Sequence, residues 1–124
     1  MENRKRVLVV DDNQDIVTTT VWLVRDMGHD CEGCLSGKEA LEFARAYDPD
    51  VVVIDLAMPG MSGFEVAHEI RQRFPGRRPV LIAVTGELKG PLDLMLSNKI
   101  GFDHYILKPA DPKTLVGLIE QAER

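Results

Sequence analysis

A chain of 124 residues has the length of one domain built on one core. At 44% hydrophobic and 28% charged it has an ordinary globular composition, and no apolar run approaches the roughly 20 residues of a membrane span. The formal net charge of -5 with no basic stretch speaks against direct nucleic-acid binding. The opening Met1-Glu2-Asn3-Arg4-Lys5-Arg6 has no secretory pattern, so a cytoplasmic location is expected.

In chain order, residues 6–10 read as a first strand, because Val7-Leu8-Val9-Val10 is a β-branched run of the kind buried on both faces of a sheet. A helix is expected over 14–27, with Ile16, Thr20, Leu23 and Met27 as its inward stripe and Gly28 ending it. The sequence leaves Trp22, off that stripe, either exposed or packed on the last helix. A short second strand covers 29–35. Its Cys31 and Cys34 have redox-pair spacing, but residues three apart in a strand point to opposite faces, and no second pair completes a zinc site. Ser36 with Glu39 forms a capping box for a helix reaching Tyr47.

Asp48-Pro49-Asp50 is a turn, followed by a third strand at 51–54. A loop shaped by Met58, Pro59, Gly60 and Gly63 leads to a helix ending near Phe74, broken by Pro75-Gly76. The fourth strand is 80–84. The segment 86–91 is irregular, and the helix expected over 91–99 carries Leu92, Leu94, Met95 and Leu96. It is thus apolar nearly all round, which suits either a partner surface or packing beneath a loop. The fifth strand is 104–107. Asp111 as N-cap and Pro112 as first helical residue open the final helix. His29, His68 and His104 show no metal-binding spacing and are expected at the surface.

Five strand-then-helix units with right-handed crossovers give a parallel sheet covered on both faces. Five strands suit the flavodoxin-like (βα)5 order, 2-1-3-4-5, and no linker or second domain is expected within 1–124. Such sheets bind ligands at the carboxyl ends of their strands. There the chain places Asp11 and Asp12 after strand one, Asp55 after strand three, Thr85 after strand four and Lys108 after strand five. Carboxylates that converge repel one another unless a hard divalent cation or phosphoryl chemistry occupies the space between them.

Taken together, Val9-Val10-Asp11-Asp12-Asn13, the loop Asp55-Leu56-Ala57-Met58-Pro59-Gly60-Met61-Ser62-Gly63, Val84-Thr85-Gly86 and Leu107-Lys108-Pro109 span essentially the whole chain. In these motifs the chain resembles the receiver domain of two-component response regulators. The resemblance implies a phosphoacceptor module, not a conventional enzyme, that takes a phosphoryl group from a histidine kinase or histidine phosphotransfer protein onto Asp55. It implies Mg2+ held by Asp12, Asp55 and the Ala57 backbone carbonyl, with Asp11 acting through water. Lys108 and Thr85 would engage the phosphoryl oxygens. The face carried by the 91–99 helix, the fifth strand and the last helix would switch. Pro109 would follow a cis peptide. Tyr105 has two readings, a switching aromatic or a half-buried strand residue. Ala57 and Glu87 occupy the positions that influence the hydrolytic water.

Three alternatives bear on this. Thr85-Gly86 and Ala110-Asp111-Pro112 also resemble receiver segments of hybrid sensor histidine kinases. A dehalogenase-like aspartyl phosphatase wants a second Asp two residues after the nucleophile, where this chain has Ala57. A flavin carrier of the same fold wants a hydroxyl- and glycine-rich phosphate loop after strand one, where Asp11-Asp12-Asn13 would repel phosphate.

Overall fold

The computed structural model describes residues 4–75, 79–86 and 99–122. Five parallel strands run β1 (Arg6–Val10), β2 (Asp30–Cys34), β3 (Val51–Asp55), β4 (Val80–Thr85) and β5 (His104–Leu107). They lie in the order β2-β1-β3-β4-β5. The helices among the described residues are α1 (Gln14–Asp26), α2 (Gly37–Tyr47), α3 (Gly63–Arg73) and a C-terminal α4 (Pro112–Gln121). This is the flavodoxin-like order that the sequence implies. The helix expected over 91–99 falls almost wholly outside the described residues.

Alternation along the strands divides the core. Leu8, Val10, Val52, Ile54, Leu81 and Ala83 point to the side covered by α2 and α3. Val7, Val9, Val51, Val53, Ile82 and Val84 point to the side of α1 and α4. Side chains that alternate faces along a strand, with both faces covered, explain why β1, β3 and β4 are almost continuously apolar. Cys31 belongs to the second cluster and Cys34 to the first, so the two thiols lie on opposite faces. Both are free and buried, and burial pushes each thiol up to about 12, far from a reactive thiolate.

Helix ends follow their local chemistry. Ser36 accepts a hydrogen bond from the Glu39 N–H, and Asp111 accepts from the Thr114 N–H with Pro112 in the first turn. Gly28, with φ +97, carries the chain out of α1 in a conformation that side chains with a Cβ rarely adopt.

Two expectations need correcting. The inward face of α1 is Val17, Val21 and Val24, whereas Ile16 and Met27 are exposed. The helix is thus turned by about one residue, near 100°, from the expected stripe. The cause lies on β2. Gly33 has no side chain, and Val17 and Val21 pack into the space it leaves. Trp22, 72% exposed, consequently projects from the outer face of α1 instead of packing on α4. His29 is buried, not at the surface. Its Nδ1 accepts the Lys5 backbone N–H at 3.1 Å, and its Nε2 lies 3.5 Å from Glu120 of α4. His68 is exposed and His104 half-buried.

Candidate functional site

The carboxyl edge of the sheet gathers the strand-end residues. Asp11 leaves β1 with its backbone N–H donating to the Cys34 carbonyl at 3.2 Å, which ties it to the end of β2. Its Oδ1 accepts the Asn13 N–H at 2.9 Å, and Asn13 in turn caps α1 by accepting from the Ile16 N–H. One buried carboxylate is therefore oriented by the turn that starts α1. Asp12 is exposed beside it.

Asp55 closes β3 and is buried. Its Oδ1 accepts the Ala57 N–H at 3.1 Å, which fixes one carboxylate oxygen and leaves Oδ2 facing Lys108 at 3.3 Å. Lys108 Nζ also lies 3.4 Å from Asp11 Oδ2. Burial pushes the Asp55 carboxyl above the usual range. The Ala57 N–H draws it back, the Asp11 charge pushes it further up, and Lys108 draws it down. Burial alone would lower the Lys108 ammonium, but the charges and hydrogen bonds of Asp11 and Asp55 outweigh that and raise it.

Oxygen atoms of Asp11, Asp12 and Asp55 all lie within 4.8 Å of one another. Three carboxylates this close form an all-oxygen donor set, which suits a hard divalent cation that keeps part of its water shell. The donor set thus fits a metal of the Mg2+ type.

β4 and β5 complete the edge. Thr85 is buried at the end of β4, opposite Leu107 of β5, and its carbonyl accepts the Lys108 N–H at 2.8 Å. That bond sets where the Lys108 side chain starts. The Lys108–Pro109 peptide is cis, as the resemblance implies. Tyr105 is half-buried, with its ring centroid 5.9 Å from that of Phe102. Its hydroxyl has no hydrogen-bond partner among the described residues. Glu87 lies outside them. All five strand-end residues singled out from the sequence thus stand on one edge. Sequence reasoning missed the α3 N-cap: Ser62 accepts from the Glu65 N–H at 3.2 Å, and the Ser62-Gly63-Phe64-Glu65 capping-box spacing was its signal.

Residues 7–120 match the family described as the response regulator receiver domain. The chain belongs to that family, whose members are signalling modules and not conventional enzymes. It is similar to the DNA-binding response regulator MtrA of Mycobacterium tuberculosis, 34% identical over 116 residues, covering 94% of this chain and 49% of MtrA. The chain spans about half the length of such curated relatives. Among solved structures, chemotaxis protein CheY4 of Vibrio cholerae superposes with a TM-score of 0.88 at 28% identity, covering 97% of this chain and 99% of that one. The signal receiver domain of a signal transduction histidine kinase from Syntrophus aciditrophicus gives 0.84 at 25% identity, covering 94% and 88%. Within this family, the pocket of Asp11, Asp12 and Asp55 is consistent with a phosphoacceptor aspartate. Among the described residues, no helix is long and apolar enough to cross a membrane.

Proposed function

We propose that Asp55 accepts a phosphoryl group from a phosphohistidine of a histidine kinase or histidine phosphotransfer protein, with Mg2+ as the accompanying ion. An oxygen–phosphorus bond forms at the Asp55 carboxylate while the phosphorus–nitrogen bond of the donor breaks and the imidazole leaves. The observation that carries this reading is the position of Asp55 Oδ2, 3.3 Å from Lys108 within the acidic triad.

Asp12, Asp55 and the Ala57 carbonyl would hold the ion directly, and Asp11 through water. When bound, Mg2+ neutralises the acidic cluster and orients the transferring group. The chain's own residues do the rest. Ala57 N–H holds one Asp55 oxygen so that the other faces the donor. Lys108 supplies a point charge to a phosphoryl oxygen. The Thr85 hydroxyl meets the phosphoryl group once formed, and Tyr105 follows that movement as the switching aromatic. Most of the catalysis is positioning and charge stabilisation.

Residues 1–124 are read as one receiver domain acting in the cytoplasm, where its phosphodonors would meet it. Similarity to the Syntrophus kinase receiver supports a second reading, a receiver segment of a hybrid sensor kinase. Incubation with a small acyl-phosphate donor and Mg2+, followed by intact mass, tests the main reading. One phosphoryl group should be gained, and Asp55→Asn should abolish the gain. An unchanged mass under conditions that label another receiver would overturn it.

A further inference from the structure

We propose that Gly63, the first residue of α3, is a positioning residue for the phosphoacceptor. The inference rests on the phosphoacceptor reading of Asp55. A Cβ placed on Gly63 would overlap the backbone carbonyl oxygen of Asp55. It would also stand 2.7 Å from Leu56 Cα and 2.9 Å from the Asp55 carbonyl carbon. All three atoms are main chain, so no side-chain rotation relieves the overlap. The contact is also bonded, because the Gly63 N–H donates to the Leu56 carbonyl at 3.2 Å.

The first turn of α3 is therefore pressed directly against the backbone of Asp55 and Leu56. It is held there by the Ser62 cap on Glu65 at one end and by Val66, Ala67 and Ile70 in the core along its length. The next residue, Ala57, supplies the N–H that fixes Asp55 Oδ1. A displacement at Gly63 thus reaches the acceptor carboxylate through two peptide units. Helix propensity alone would favour Ala over Gly here, and no left-handed φ demands glycine. The close approach is what requires it.

Gly37, the first residue of α2, is a matched control. A Cβ there would meet Val66 Cγ2 of α3 at 2.5 Å and Met61 at 3.0 Å, so it crowds the same helix, but its three nearest atoms are all side-chain atoms and none belongs to Asp55. The experiment measures the labelling rate of the unaltered chain, Gly63→Ala and Gly37→Ala with acetyl phosphate and Mg2+, well below each protein's melting temperature. Mg2+ affinity and urea stability are measured alongside. Gly63→Ala should label more slowly by on the order of 100-fold, the scale of an ångström-size misplacement, and bind Mg2+ more weakly. Gly37→Ala should change stability but leave labelling and Mg2+ affinity as they were. Equal losses in both variants, or full labelling of folded Gly63→Ala, would overturn the proposal alone. Failure of the unaltered chain to label would overturn the phosphoacceptor reading and this proposal with it.

If Gly63→Ala does not fold, amide hydrogen exchange on the unaltered chain decides. Mg2+ should slow exchange of the Gly63 N–H together with that of Ala57, with no change at Ala44 of α2. An unresponsive Gly63 N–H would overturn the proposal.

Discussion

The ammonium of Lys108 lies 3.3 Å from Oδ2 of Asp55, a carboxylate whose side chain is 3% exposed. Folding raises the Asp55 pKa above 3.8, chiefly by burial, so the folded chain holds that proton more tightly than the unfolded one. Ionisation of Asp55 therefore removes stability as pH rises from 3.8 through the raised folded value. Asp55→Asn should accordingly raise the melting temperature at pH 7 without Mg2+, and the gain should shrink as pH falls toward 4. Thermal denaturation across that range checks it. A variant less stable than the parent at pH 7 would contradict the sign.

Lys108 runs the other way. Its folded pKa lies above 10.5, so its contribution is fully present below pH 10.5 and is lost as pH rises through the folded value. Lys108→Ala removes a charged partner from Asp11 and Asp55. It should cost about 1.5–3 kcal/mol of Mg2+-free stability, the usual range for a hydrogen bond to a charged group. Saturating Mg2+ should narrow that gap in urea titrations. The variant should still be phosphorylated, but amide shifts around Thr85 and Tyr105 should no longer follow phosphorylation.

The metal ligands should separate by role. Asp12 is exposed and proposed as a direct ligand. Asp11 is buried and also holds the Asn13 N–H that starts α1. Asp11→Ala should weaken Mg2+ about 10–100-fold, as for an outer-sphere group, and should also lower thermal stability. Asp12→Ala should weaken Mg2+ more, with stability little changed. Fluorescence or calorimetric titration of both variants checks the order, and equal affinity losses would contradict it.

The strands carrying the site were legible because β1, β3 and β4 are buried on both faces and therefore read as unbroken apolar runs ending at Asp11, Asp55 and Thr85. The Ser36 and Asp111 caps were legible because capping is a local event. The rotation of α1 was not. Ile16-Thr20-Leu23-Met27 and Val17-Val21-Val24 are both helical stripes, and the space above Gly33, a residue on another element, selects the second. His29 was misplaced for a similar reason: its ring meets the Lys5 N–H and Glu120 of α4, both distant from it along the chain. The closeness of Gly63 to Asp55 is likewise a tertiary fact, invisible to spacing.

Lifetime of the phosphoryl group gives a further test. Ala57 is exposed beside the acceptor and has no polar side-chain atom with which to hold a hydrolytic water. Ala57→Asn adds one and should shorten the lifetime of the phosphorylated chain several-fold. Decay after donor removal, followed by intact mass, measures it. An unchanged or longer lifetime would contradict the role given to this position.

Asp55, and neither Asp11 nor Asp12, should carry the phosphoryl group. The most direct measurement is hydride reduction of the phosphorylated chain, which converts an aspartyl phosphate to homoserine, followed by peptide mass mapping. Homoserine is expected at position 55 with Asp11 and Asp12 intact, dependent on both donor and Mg2+. Homoserine at 11 or 12, or an intact Asp55 in a chain that has gained phosphate, would contradict it.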